Sequence, residues 1–225
     1  MARPSAPRAP AAPRPRPDLS LEGALQRADP SCVPVCGIDE AGRGPWAGPV
    51  CAAAVILDPA DIPDGIDDSK RLTAKRREAL FDEIQARARW GIGFAEAPEI
   101  DAIGILPAND LAMARALAAL GAAPGHAPGH ALIDGNRVPP GFPVPATAVV
   151  KGDGKSLSIA AASILAKVAR DRVMTALAEQ HPGYGWERNM GYGVPAHRQG
   201  LKSLGVTPHH RCSFAPIRKI LGEGD

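Results

Sequence analysis

Apolar positions along the chain change period several times, and each change predicts an element. Residues 33–39 form an apolar run (Val33, Val35, Cys36, Ile38) that ends in charge and reads as a strand. It leads into the glycine-rich loop Ala41-Gly42-Arg43-Gly44-Pro45. Residues 50–57 and 90–96 read as second and third strands. Between them, 73–89 takes helical spacing at Leu80, Phe81 and Ile84 against a basic face of Lys75, Arg76, Arg77 and Arg87. A short helix is expected at 19–28, and an Ala/Leu helix at 107–120 with proline near its start. Short buried strands follow at 131–134 and 146–151. A long helix spans 158–179, with a core stripe of Ala161, Leu165, Ala169, Val173 and Leu177, while Ser163, Lys167 and Arg170 lie on another side. The remainder from 181 is rich in Gly, Pro, His and Arg, with a helix near 195–204. This order predicts an α/β fold: a mixed sheet flanked by helices, with a small helical C-terminal extension.

Composition narrows the class. The 225 residues, 45% of them hydrophobic, suit one soluble domain with a substantial core. Residues 1–17 alternate Pro, Ala and Arg and are expected to be a disordered tail, leaving 18–225 as the domain. No apolar run reaches the ~20 residues of a membrane span, and the basic N-terminus lacks the apolar stretch of a secretory signal. A cytoplasmic monomer away from membranes is therefore the expectation. Cys32, Cys36, Cys51 and Cys212 have no zinc-site spacing, so they are read as reduced and structural. The net charge of +2 hides an asymmetry. Four of the 26 basic residues (Arg3, Arg8, Arg14, Arg16) precede the first acid, which leaves 22 against 24 acidic groups, a net of −2. Overall charge thus gives no support for nucleic-acid binding, and local clustering has to supply it.

The carboxylates change the picture most. Asp39 and Glu40 end the first strand, Asp134 ends a later one, and Asp153 follows another. Acids at the ends of neighbouring strands converge on one sheet edge, where they repel unless cations neutralise them. Oxygen-only ligands suit Mg²⁺ or Mn²⁺. Two such ions ~4 Å apart can activate a water and stabilise the leaving oxygen of a phosphodiester. Asp134-Gly135 and Asp153-Gly154 are also what ordinary turns use. Asp39-Glu40 resists that reading, because a charged pair abutting a strand core is costly without partners. In a regular strand the two would face opposite ways, so sharing one site requires the chain to leave β geometry there. The histidines show no metal-ligand spacing and read as surface or hydrogen-bonded residues.

With these residues in view, the chain resembles a known family. Gly37-Ile38-Asp39-Glu40-Ala41-Gly42-Arg43-Gly44-Pro45, Asp68-Ser69-Lys70-Arg71-Leu72, Ile133-Asp134-Gly135 and Lys151-Gly152-Asp153 are similar to the ordered motifs of type 2 ribonuclease H, ribonuclease HII. Residues 159–172, Gly191-Tyr192-Gly193 and Ser213-Phe214-Ala215-Pro216 extend the likeness from about residue 33 to 220. It implies an RNase H-like fold and an endonuclease acting on RNA–DNA hybrids and on single ribonucleotides in duplex DNA. Cleavage would fall 5′ of the ribonucleotide, leaving 3′-hydroxyl and 5′-phosphate ends. Asp39, Glu40, Asp134 and Asp153 would hold Mg²⁺ or Mn²⁺ and carry catalysis. Gly42, Arg43 and Gly44 would recognise the 2′-hydroxyl, with Lys70, Ser163, Lys167 and Tyr192 also meeting substrate. Asp171 is the rival fourth carboxylate, but its place four residues after Lys167 suggests an ion pair. Where the family often has Lys or His just before Gly-Tyr, this chain has Arg188-Asn189-Met190. Related ribonuclease HIII carries Lys in place of Arg43 and an extra N-terminal domain, which favours type 2. Nothing in the sequence supports a replication-clamp partner.

Overall fold

The computed structural model describes residues 16–122 and 127–222. The tail expected at 1–17 thus lies almost wholly outside the described residues. A five-stranded sheet is built from β1 (Val35–Ala41), β2 (Val50–Ile56), β3 (Arg89–Ala95), β4 (His130–Asp134) and β5 (Ala146–Val149). Its order is β3-β2-β1-β4-β5. The β1–β2 and β2–β3 pairs are antiparallel, while β1–β4 and β4–β5 are parallel. The helices are α1 (Ser20–Ala28), α2 (Ala74–Arg87), α3 (Ala97–Ile103), α4 (Ile105–Gly121), α5 (Leu157–Gln180), α6 (Trp186–Asn189), α7 (Pro195–Leu204) and α8 (Ala215–Leu221).

Both faces of the sheet are covered, which is why β2 reads as an unbroken apolar run. Val50, Ala52, Ala54 and Ile56 pack with Ile100 of α3 and Ala112, Ala116 and Leu120 of α4. Cys51, Ala53 and Val55 meet Leu80, Phe81 and Ile84 of α2 and Ala161, Ile164 and Leu165 of α5. Helix α5 lies so close to β1 that a Cβ on Gly37 would sit 2.1 Å from the Ser158 carbonyl carbon. Only glycine permits that approach.

The expected stripe on α5 is incomplete. From Ser158 to Ala166 every residue is buried, because the helix is enclosed by the sheet and its neighbouring elements. Its C-terminal half serves a separate cluster of Ala47, Met174, Leu177, Tyr184, Trp186, Leu201 and Ile217, which organises the C-terminal extension. All four cysteines are free. No helix among the described residues is long and apolar enough to cross a membrane.

Candidate active site

The ends of β1 and β4 lie side by side, with Ile38 in parallel register with Ile133. The next residue on each strand, Asp39 and Asp134, is therefore delivered to the same sheet edge. Asp153 arrives from the short turn Gly152–Gly154 that follows β5. One carboxylate oxygen from each of Asp39, Asp134 and Asp153 lies within 4.8 Å of the other two. The Glu40 amide donates to Asp39 Oδ1 at 2.7 Å, and the Gly152 amide to Asp134 Oδ1 at 2.6 Å. The turn is thereby tied to the strand that carries Asp134.

Glu40 departs from the expectation that the chain must leave β geometry. Strand β1 stays paired through Ala41, opposite Cys51, so the alternation persists. Asp39, like Gly37, takes the α5 face; Glu40 takes the α4 face. There Glu40 lines a cleft of about 60 Å³ with Arg43, Asn109, Asp110, Asp134 and Arg137, and Arg43 Nη1 donates to Glu40 Oε1 at 3.2 Å. Asp134 borders both the three-carboxylate cluster and this cleft. The two neighbouring acids thus approach the end of β4 from opposite faces.

Crowding and burial raise these acids together. Burial, then the charges of Glu40, Asp134 and Asp153, hold Asp39 well above the usual carboxylate range. Burial and then Asp153 raise Asp134, with the Gly152 amide opposing. Burial raises Glu40, with Arg43 opposing. Three buried or half-buried carboxyls this close carry an electrostatic deficit that a hard divalent cation relieves. Asn109 adds a second sign. It is 4% exposed, lines the cleft, and its Oδ1 has no hydrogen-bond partner among the described residues. An all-oxygen donor set with an orphaned acceptor beside it fits Mg²⁺ or Mn²⁺.

Among the described residues Lys70 is the one cation that forms an ion pair with the cluster, its Nζ 3.2 Å from Asp153 Oδ2. Partial burial lowers its pKa, but Asp153, Asp39 and Asp68 outweigh this and the net shift is upward. It stands on the turn Ser69–Arg71, where the Asp68 side chain accepts from the Lys70 amide at 2.9 Å. Ser163 supports the same turn from behind. It is 3% exposed, accepts from the Ser69 amide at 3.3 Å and donates to the Ala160 carbonyl at 2.8 Å. It lies one layer below Lys70 and does not face solvent. Lys167 donates to Asp171 at 2.8 Å as an i,i+4 pair, and Asp171 stands outside the cluster.

Tyr192, half exposed, stands across from the glycine loop; a Cβ on Gly44 would lie 3.5 Å from its ring. The Trp46 amide donates to the Gly191 carbonyl at 2.8 Å and joins the two loops. His197 Nδ1 lies 3.1 Å from the Tyr192 carbonyl, and its Nε2 lies 3.0 Å from His210 Nε2. Both histidines are buried. The sequence reading missed this pair and the buried Arg211, because no local spacing marks a histidine or arginine as interior.

A mixed sheet in this strand order, with carboxylates at the ends of adjacent parallel strands, defines an RNase H-like α/β nuclease. Solved structures bear this out. Ribonuclease H2 of Pyrococcus horikoshii matches with a TM-score of 0.68 and 28% identity, over 83% of this chain and 96% of that one. RNase HII of Archaeoglobus fulgidus, solved in complex with PCNA, matches with a TM-score of 0.66 and 30% identity over 79% and 93%. A ribonuclease HIII structure with Mn²⁺ shares the fold, with a TM-score of 0.66 at 20% identity over 88% and 72%.

The family model described as Ribonuclease HII matches residues 36–217. Ribonuclease HII of Paracoccus denitrificans is 58% identical over 205 residues, covering 91% of this chain and 95% of the relative. That of Ruegeria pomeroyi is 58% identical over 206 residues, covering 92% and 86%. The chain belongs to the ribonuclease HII family, endonucleases that degrade the RNA of RNA–DNA hybrids with a divalent metal.

Proposed function

We propose that this endonuclease also nicks duplex DNA on the 5′ side of single embedded ribonucleotides, leaving 3′-hydroxyl and 5′-phosphate ends in ribonucleotide excision repair. The observation that carries the proposal is the junction of two features in one segment. Asp39 belongs to the carboxylate cluster, and three residues later Gly42-Arg43-Gly44 faces Tyr192 across a narrow gap. A backbone loop that approaches a sugar closely reads its 2′-hydroxyl, the group that distinguishes one ribonucleotide from its DNA neighbours. Tyr192, exposed on its loop, offers a flat surface for the adjoining deoxynucleotide.

Asp39, Glu40, Asp134 and Asp153 are the residues that would hold Mg²⁺ or Mn²⁺, in the two-ion arrangement expected for phosphodiester hydrolysis. Bound there, the cations supply charge neutralisation, an activated water and stabilisation of the leaving oxygen. The chain's own groups act around them. Lys70, salt-bridged to Asp153, presents a cation beside the scissile phosphate, and Ser163 keeps its turn in place. Arg43, paired with Glu40, and Lys167, paired with Asp171, are both partly exposed and would be available to a phosphate backbone.

Asp134→Asn tests the catalytic assignment. A labelled RNA–DNA hybrid should remain uncut in Mg²⁺ and in Mn²⁺ while the variant keeps its fold and much of its hybrid affinity. Cleavage near the wild-type rate would remove Asp134 from the site. Wild-type protein that binds hybrid but never cuts it, in any divalent metal, would favour a noncatalytic binding module with structural carboxylates.

A further inference from the structure

Two arginines are fully buried behind the glycine loop, and neither forms an ion pair with a carboxylate among the described residues. Arg170, on α5, donates through Nε to the Pro49 carbonyl at 2.8 Å, through Nη1 to Met190 at 3.0 Å and through Nη2 to Ala47 at 3.1 Å. Arg211 donates through Nε to the Gly48 carbonyl at 2.9 Å, through Nη1 to Arg43 at 3.0 Å and through Nη2 to Gly42 at 2.6 Å. A buried cation normally needs a carboxylate. Here six backbone carbonyls take that place.

The consequence lies in the planarity of the peptide bond. In a trans peptide the C=O and the following N–H point in opposite directions. Arg211 draws the carbonyls of Gly42 and Arg43 inward, so the amides of Arg43 and Gly44 must point outward. Neither amide donates to any partner within the described residues. Two adjacent free N–H groups on one side of a loop form a concave donor site for an oxygen ligand. Arg170 sets the other coordinate by bonding at once to the 47–49 segment and to Met190, next to the loop of Tyr192. Gly42, at φ +94°, cannot carry a side chain, since a Cβ there would fall 1.9 Å from Arg170 Nε.

The segment that carries Arg211 is itself fastened. Its amide donates to the Trp46 carbonyl at 2.8 Å, and the Gly48 amide to the His209 carbonyl at 2.8 Å. Asp101 of α3 accepts from the amides of Cys212 and Ser213, both at 2.8 Å.

We propose that Arg211 is the positioning residue for ribose selection: it presets the outward amides of Arg43 and Gly44, while Arg170 fixes their spacing from Tyr192. This rests on the reading of Gly42–Gly44 as the ribose-recognition loop. A lysine at 211 keeps the cation but not the planar fork, so it cannot hold three carbonyls in fixed directions.

The test is made in the uncut Asp134→Asn background, by measuring affinity for a duplex with one ribonucleotide and for the same duplex in all-DNA form. Adding Arg211→Lys should lower the ribo-to-deoxy affinity ratio roughly tenfold, the worth of about one well-directed hydrogen bond. Affinity for the all-DNA duplex should stay unchanged. With Asp134 intact, Mn²⁺ binding by Arg211→Lys should equal wild type, which separates loop positioning from general damage. Should Arg211→Lys fail to fold, Asp101→Asn loosens the same segment and should move the ratio in the same direction. A ratio that exceeds one and survives both changes overturns the positioning role. A ratio of one before any change at 211 or 101 contradicts the ribose-recognition reading instead, and takes the positioning role with it.

Discussion

Replacing Asp39 by asparagine should abolish cleavage and at the same time make the metal-free protein more stable. Asp39 is 4% exposed, and its carboxylate shares a 4.8 Å cluster with Asp134 and Asp153. At that separation and an effective dielectric of about 20, each like-charge pair costs about 3 kcal/mol before relaxation. Lys70 beside Asp153 offsets part of this, and burial with the neighbouring carboxylates already disfavours the charged form of Asp39. Asparagine retains an oxygen able to accept the Glu40 amide, so the native hydrogen bond need not be lost. A net gain of about 1–3 kcal/mol follows, or a Tm higher by roughly 2–12 °C at 2–4 °C per kcal/mol for a chain of this size. The assay is thermal unfolding in EDTA, repeated across an Mn²⁺ titration. Wild type should gain about 2.7 kcal/mol at a free metal concentration of 100 Kd, while the variant gains less, so their order narrows or reverses. A variant less stable than wild type in EDTA, or an equal Mn²⁺ response in both, would refute the electrostatic reasoning.

Gly37→Ala should destabilise by about 3 kcal/mol, since its Cβ would meet the α5 backbone at 2.1 Å and force the helix off the sheet; an unchanged urea midpoint contradicts this. Acid should weaken the C-terminal extension through His210, which burial first and His197 second push down from 6.5 to about 4. His209 and His181 face it with charges of the same sign when protonated, and Thr207 donates to its Nδ1 at 2.9 Å. The unfolded chain takes up the proton first, so stability is complete above about 6.5 and falls as the pH drops toward 4, by up to about 3 kcal/mol. His210→Gln should flatten that part of the pH–stability curve, and an unchanged slope would assign the acid sensitivity elsewhere.

How much of this was legible in the sequence depended on whether a feature is local. The five strands follow from apolar runs, and their observed bounds differ from expectation by one or two residues at the ends. Helix α7 falls on the expected 195–204. Helix α3 was not foreseen: its seven residues offer too little periodicity, and it is stabilised by a Glu96–Glu99 capping box. Helix α8 likewise lay hidden in a segment rich in proline and glycine. The convergence of Asp39, Asp134 and Asp153 was anticipated from strand ends alone. The separate approach of Glu40 was not, because it depends on β1 remaining in register through Ala41. Ser163 was expected to meet substrate, and it lies buried behind the Lys70 turn because α5 is enclosed on several sides there. Arg170 and Arg211 resembled any other basic residues, and only the carbonyls of a distant loop account for their burial.

Cleavage of a labelled duplex with one embedded ribonucleotide, beside its all-DNA counterpart, tests the central claim most directly. In Mg²⁺ or Mn²⁺ the account predicts a single nick on the 5′ side of the ribonucleotide, a 3′-hydroxyl and a 5′-phosphate at the cut, and an intact all-DNA duplex. Equal cutting of both duplexes would contradict it and point to a nuclease of this fold, such as a resolvase or exonuclease, with no need for the 2′-hydroxyl.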